Sequence, residues 1–250
     1  MFIKLSRILF GVTMALATTA ALPLSANPVE LTKRADDLRE KGESLKAIDI
    51  YNQAIVGFQQ NNDYANMIGA LTGRLLSWKH LFYKTEDKIY AIFVRKEAET
   101  IYEITKLHNL SDRRHLVLFL NGTSAILLND YPVAEREFEE AVKIYPIDST
   151  EKGDWMAHLG DAMYRNGKKA EGKKMILEGV KKIQEKSSQV DSFLTNVWIS
   201  GAYLRLAKLL KTDNPTESNS YLSQAKKIID SDDRLVVRKQ QLEAFTKDSK

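Results

Sequence analysis

The 250-residue chain contains no cysteine. Disulfide staples, thiol catalysis and cysteine-ligated zinc are therefore excluded, and no cysteine is present to carry a lipid. Proline (five residues) and glycine (12) are both scarce. No Gly/Ser-rich or Pro-rich stretch exists to act as a flexible linker, and turn-formers are too few for an all-β fold with many tight hairpins. Histidine occurs only at His80, His108, His115 and His158, never in a spacing such as H-E-x-x-H. Charge of one sign is lacking as well. The 37 basic and 33 acidic residues leave a formal +4, with no basic arm or dense Lys/Arg block, so nucleic acid is not implied as a partner. Beyond residue 26 no run approaches the ~18 apolar residues of a membrane span.

What is present begins with a distinct N-terminus. Lys4 and Arg7 precede an uncharged, apolar or small-residue stretch over residues 8–22, followed by "LPLSANPVE" with Ala26 as the last leader residue. This layout predicts a secretory signal peptide over residues 1–26. A buried core helix would carry a polar face, and this segment has none. Its removal takes away Lys4 and Arg7 and lowers the formal charge to +2. The expected product is an exported chain, periplasmic or secreted, without an integral membrane segment.

From Val29 onward the apolar period is helical nearly everywhere. Breaks fall at "REKGES", "QQNND", "YKTEDK", "LHNLSDR", "NDYPV", "YPIDSTEKGD", "RNGKK", "EKSSQVD", "KTDNPTESN" and "DSDDR". Eleven helices result, joined by short loops into antiparallel hairpins, with no strand. Thr85 and Ser111 are read as N-caps, and Pro132 as a first-turn proline whose missing N–H costs nothing. Residues 120–146, "LNGTSAILLNDYPVAEREFEEAVKIYP", show a code of volumes. Gly122 and Ala134 let two helices approach, Phe138 fills the space beside them, and Ala141 makes room for the next hairpin.

This unit resembles a tetratricopeptide repeat, whose pattern is Trp-x2-Leu-Gly-x2-Tyr, Ala-x3-Phe, a second Ala and a closing Pro over about 34 residues. Residues 115–148 match its second half. "AHLGDAMYRNGKKAEG" (157–172) matches the first half through Leu159, Gly160 and Gly167, with Gly172 and Gly179 in the alanine places. Weaker copies hold Ala35, Leu38, Gly42, Ala47, Tyr51 and Ala54, and then Gly201, Leu222 and Ala225. Residues 62–108 form an elongated hairpin where the match dissolves after Gly69. The resemblance implies an all-α fold, a right-handed α-solenoid of hairpins at about 29–61, 62–110, 111–148, 149–187 and 188–230. A capping helix over 232–247 would hide the last apolar face.

Chemistry is hard to find. No G-x-S-x-G elbow, phosphate-binding glycine loop or dinucleotide fingerprint occurs. Asp154, His158 and Asp161 share a helix face, but two carboxylates and one imidazole on a single helix leave a metal shell open. No catalytic residue, metal or cofactor is assigned. The resemblance implies binding along a concave groove formed mostly by first helices. Carried onto the matched positions, it gives Phe119, Thr123 and Ile126, then Asp154, Ala157, Asp161 and Tyr164, then Trp198, Ala202 and Arg205. Aromatic and arginine side chains are frequent anchors. Thr32 and Asp36 occupy the places of a terminal-carboxylate grip, so a cytosolic chaperone adaptor is not expected. The expected function is a non-catalytic scaffold for a peptide or partner helix. The alternatives are a self-associating envelope component and, from another class, an envelope enzyme or carbohydrate-processing factor with a groove site.

Overall fold

The computed structural model describes residues 27–247, and among them every regular element is helical. The leader expected over 1–26 lies outside these residues. Five hairpins follow one another: α1 (Pro28–Glu40) with α2 (Ser44–Gln60), α3 (Tyr64–Thr85) with α4 (Lys88–Leu107), α5 (Arg114–Leu127) with α6 (Tyr131–Ile144), α7 (Thr150–Arg165) with α8 (Lys169–Glu185), and α9 (Ser192–Leu210) with α10 (Pro215–Asp230). A last helix, α11 (Val236–Lys247), ends the described chain. Each helix packs on the next in sequence, which is the arrangement of an α-solenoid. No helix among the described residues is long and apolar enough to cross a membrane.

The starts are written in short polar side chains. Asn27, Asp63, Asp87, Asp130, Ser149, Asp191 and Asn214 each accept a backbone N–H from the first turn that follows. Pro132 does sit in the first turn of α6. Two cap assignments are corrected. Thr85 is the last residue of α3 and donates to the Leu81 carbonyl, while Asp87 caps α4. Ser111 opens a single 3-10 turn that runs directly into α5, which has no side-chain cap.

Packing follows the volume code. Ala35, Ala47, Tyr51, Ala54, Ala134, Phe138, Ala141 and Ala225 are fully buried, and Leu159 is buried beside them. A Cβ on Gly122 would stand 2.8 Å from the Phe138 ring, so the ring needs that glycine. Between α7 and α8 the approach is backbone on backbone. A Cβ on Gly160 would fall 2.5 Å from the Gly172 carbonyl oxygen, and one on Gly153 would fall 2.7 Å from that of Gly179. In the elongated hairpin the packing glycine is Gly73. The Tyr51 ring lies where a Gly73 Cβ would be, whereas Gly69 faces open space. Gly201 also differs from its expected role, because it makes room for the Arg238 guanidinium of α11 and not for its own hairpin partner.

That contact shows where the chain end goes. The expected closing helix begins at Val236, later than residue 232, and it does more than cover the last hairpin. α11 packs on α9, α10 and also α3, and Gln240 reaches the turn at Gly42 between α1 and α2. It is anchored by Leu235, buried with Ala225 and Ile229, and by Arg238 Nε, which donates to the Val197 carbonyl at 3.0 Å. The helix therefore lies across the concave side of the array.

Candidate functional site

Beneath α11 the first helices enclose a chamber of about 470 Å³. Its walls come from α1, α3, α5, α7, α9 and the residues just after them, and from the α11 segment. None of its lining residues belongs to α2, α4, α6, α8 or α10. The periodicity explains this division: the second helices spend their apolar faces between neighbouring hairpins, and the first helices keep one face for the interior of the curve.

The chamber is apolar at the sides and charged at its centre. Phe119 stacks on Trp155 with centroids 4.4 Å apart, and Leu76, Leu116 and Trp198 extend this wall. Lys79 from α3, Arg205 from α9 and Arg238 from α11 also line it, along with Asp154 and His158 from α7. Asp154 is 8 % exposed, and its nearest cation is the Arg205 guanidinium, 3.8 Å from Oδ1. Arg205 Nη2 donates to His158 Nε2. Since a guanidinium only donates, the imidazole is neutral with its proton on Nδ1.

Burial and crowding perturb Lys79, Arg238 and the carboxylate they face. Burial, reinforced by Arg205, pushes the Lys79 ammonium down to about 7. The same two causes bring Arg238 down to about 10. Burial raises the Asp154 carboxyl against the pull of Arg205 and Lys79, and it holds His80 and His158 well below the ordinary imidazole range. Lys79 and Tyr83 keep some accessible surface, but it is chamber wall, which gives these groups far less solvation than bulk water. Several polar atoms there have no hydrogen-bond partner: Asp154 Oδ1 and Arg205 Nη1, which approach each other only to 3.8 Å, and His80 Nδ1.

Of the residues expected in the groove, Phe119, Asp154, Asp161, Trp198 and Arg205 line the chamber. Asp161 is held by Arg165 Nε at 2.6 Å, so it turns from the Asp154–His158 pair instead of joining it as a ligand set. Thr123, Ile126 and Tyr164 do not line it. Thr123 is buried and donates to the Phe119 carbonyl, and Ile126 packs into the main core. The Tyr164 hydroxyl meets Asp213 at 3.2 Å, between hairpins. Ala157 and Ala202 are fully buried in the core behind the wall. Sequence reasoning missed Lys79, His80, Tyr83, Trp155 and Arg238. Lys79 in "SWKH" and Arg238 in "VVRKQQ" read as ordinary solvated charges, and no local signal brings them together.

These features define an all-α helical-repeat protein with an internal, cation-rich chamber closed by its own C-terminal helix. Comparison with known family models and with curated proteins finds no match, so the tetratricopeptide likeness stands on the residues quoted for it.

Proposed function

We propose that this protein works by binding rather than catalysis, as a scaffold whose concave face receives a helical segment of a protein partner. One observation carries the reading: that face already seats a helix, α11, supplied by the same chain. The seat is a light one. Among the α11 residues only Val237 is buried, and its contacts are spread over three separate helices. Size supports the same view. A helix is ~10–12 Å across and rises 5.4 Å per turn, so one turn needs ~400–600 Å³, and a chamber of about 470 Å³ has no room for a partner helix beside α11. A partner would take the place of α11, giving recognition by an amphipathic helix in a groove.

The test uses the full chain with a photoreactive residue at Trp198, compared with the same chain carrying Val237→Lys. The substitution places an ammonium at the one buried position of α11, on the wall of a chamber already rich in cations, and should loosen that helix without touching the hairpins. Crosslinks from Trp198 should shift from α11 to one recurrent protein, and that protein, purified, should bind the Val237→Lys chain at least fivefold more tightly than the unsubstituted one. Crosslinks confined to α11 in both chains would refute the proposal.

A further inference from the structure

The chamber under α11 carries more positive charge than its own carboxylates neutralise. Eight lysines and arginines line it against five carboxylates. Asp161 pairs with Arg165 and Glu40 with Arg39, Glu151 accepts from the neutral Tyr145 hydroxyl, and Glu86, just after α3, forms no ion pair with any described residue. Arg234 at the rim pairs with Asp232 and Asp191. Asp154 faces Lys79, Arg205 and Arg238 together. Lys79 forms no ion pair with any described residue. Arg238 donates only to the Val197 carbonyl and the Gln241 side-chain oxygen, both neutral acceptors. Arg205 touches Asp154 only at 3.8 Å, and its Nη1 has no hydrogen-bond partner.

Buried charges are normally paired, because an unpaired ion in a low-dielectric interior is costly. Here three converge from helices far apart in sequence, so neither local charge patterning nor a single surface face explains them. A fold that needed only to fill this space could do so with apolar residues, as α5 does with Leu116, Phe119 and Leu120. Asp154 adds a second demand. Its Oδ1 is an acceptor with no donor, on a residue more than nine-tenths buried.

We propose that the chamber is a binding site for a compact organic dianion with an apolar body, held while α11 remains seated. Its two anionic groups lie among Lys79, Arg205 and Arg238, its apolar part lies against Leu76, Phe119 and Trp198, and a hydroxyl or amine on it donates to Asp154. The volume of about 470 Å³ falls within the range of small-ligand sites, ~300–1,000 Å³, and excludes a folded partner. Arg238 gives the site a second property. Because α11 supplies one of the three cations, a bound dianion ties that helix to α3 and α9, and occupancy should protect α11 from opening. The site differs from the helix seat above it and does not depend on that seat binding a partner.

The experiment is a titration of the intact chain, read by tryptophan fluorescence and by hydrogen exchange of α11. The probes are α,ω-dicarboxylates from succinate to suberate, isophthalate and phenyl phosphate, with benzoate and benzylamine as controls. At least one dianion should bind tenfold or more tightly than benzoate, slow exchange in α11, and lose tenfold or more of its affinity in Lys79→Met and in Arg205→Gln. Dicarboxylates and phenyl phosphate separate carboxylate from phosphate as the preferred anion. If Lys79→Met does not fold, Lys79→Gln replaces it, with helicity confirmed first. Binding by no dianion, binding no stronger than benzoate, or affinity unchanged in both variants would overturn the site. A scaffold whose Trp198 crosslinks still move to a partner protein would survive that result, so the two proposals fail separately.

Discussion

Gly160→Ala should lower the stability of the protein by about 3 kcal/mol or more, a large effect for one methyl group. The added Cβ would lie 2.5 Å from the Gly172 carbonyl oxygen and 2.7 Å from the Ile176 amide nitrogen. Neither is the end of a flexible side chain, so the helices themselves must part. The seam is also reciprocal: a Cβ on Gly172 would meet the Tyr164 amide nitrogen at 2.5 Å, and Gly153 and Gly179 repeat the arrangement further along. Separation would unpack Ile176 and Ile183, both fully buried, and would displace the face of α7 that carries Asp154 and His158 into the chamber. For a chain of this size the melting temperature should fall by roughly 6–12 °C. Gly69→Ala is the control. It lies in α3 with nothing within 4 Å of the new methyl group, and it should gain up to about 1 kcal/mol from helix propensity. Thermal and urea unfolding followed by circular dichroism measure both. A Gly160→Ala chain that melts within a degree of the parent would mean that the seam is looser than its geometry.

The contrast between these two glycines shows what kind of information the chain carries openly. Gly160, Gly122 and Phe138 announce themselves because each packs against a residue within one hairpin, so the cause lies within about 20 residues of sequence. The match to the repeat pattern dissolves after Gly69, so no pattern marks the glycine that follows it. The close approach is at Gly73, demanded by Tyr51 of the preceding hairpin. Helix starts were readable for the same local reason, and the two misassigned caps, Thr85 and Ser111, fall where an aspartate or a 3-10 turn lies close by. The chamber belongs to another level. Its first-helix wall is what the tetratricopeptide resemblance implied, and Phe119, Asp154, Asp161, Trp198 and Arg205, carried over from it, fall on that wall. Lys79 and Arg238 could not follow, because their meeting depends on α11 folding back across the array to α3. Nothing in "DDRLVVRKQQLEAFTK" states that path. Tyr164 went the opposite way, drawn out of the wall by Asp213 in an enlarged turn.

Lys79→Met should stabilise the protein at neutral pH, by an amount that vanishes in strong base. Its ammonium falls from an ordinary 10.5 to about 7 on folding, first through burial and then through repulsion by Arg205. A group whose affinity for its proton is depressed by folding contributes stability present above its unfolded pKa and lost as pH falls through the folded one. Above about pH 10.5 the lysine is neutral in both states, and the substitution exchanges one mostly apolar side chain for another. Between about 10.5 and 7 the unfolded chain takes up the proton and the folded chain resists it, so stability drains away with acidification. Below about 7 the folded chain is protonated as well, and the penalty is constant. Removing the amine removes that penalty. The full shift corresponds to about 5 kcal/mol, and chamber solvent around the half-buried Lys79 reduces this to about 3 kcal/mol at pH 7 and below. The neighbours leave this window clear up to about pH 9. His80 and His158 release their protons well below 6.5, Arg238 is brought down to about 10 and changes charge only beyond that limit, and Tyr83 is raised above 10. Urea midpoints of the two chains at pH 6, 7.5 and 9 decide the matter. A difference that narrows steadily with rising pH shows an amine forced toward neutrality by burial and by the Arg205 charge beside it. A difference that does not vary with pH would show that Lys79 keeps its proton and that the chamber solvates it as water would.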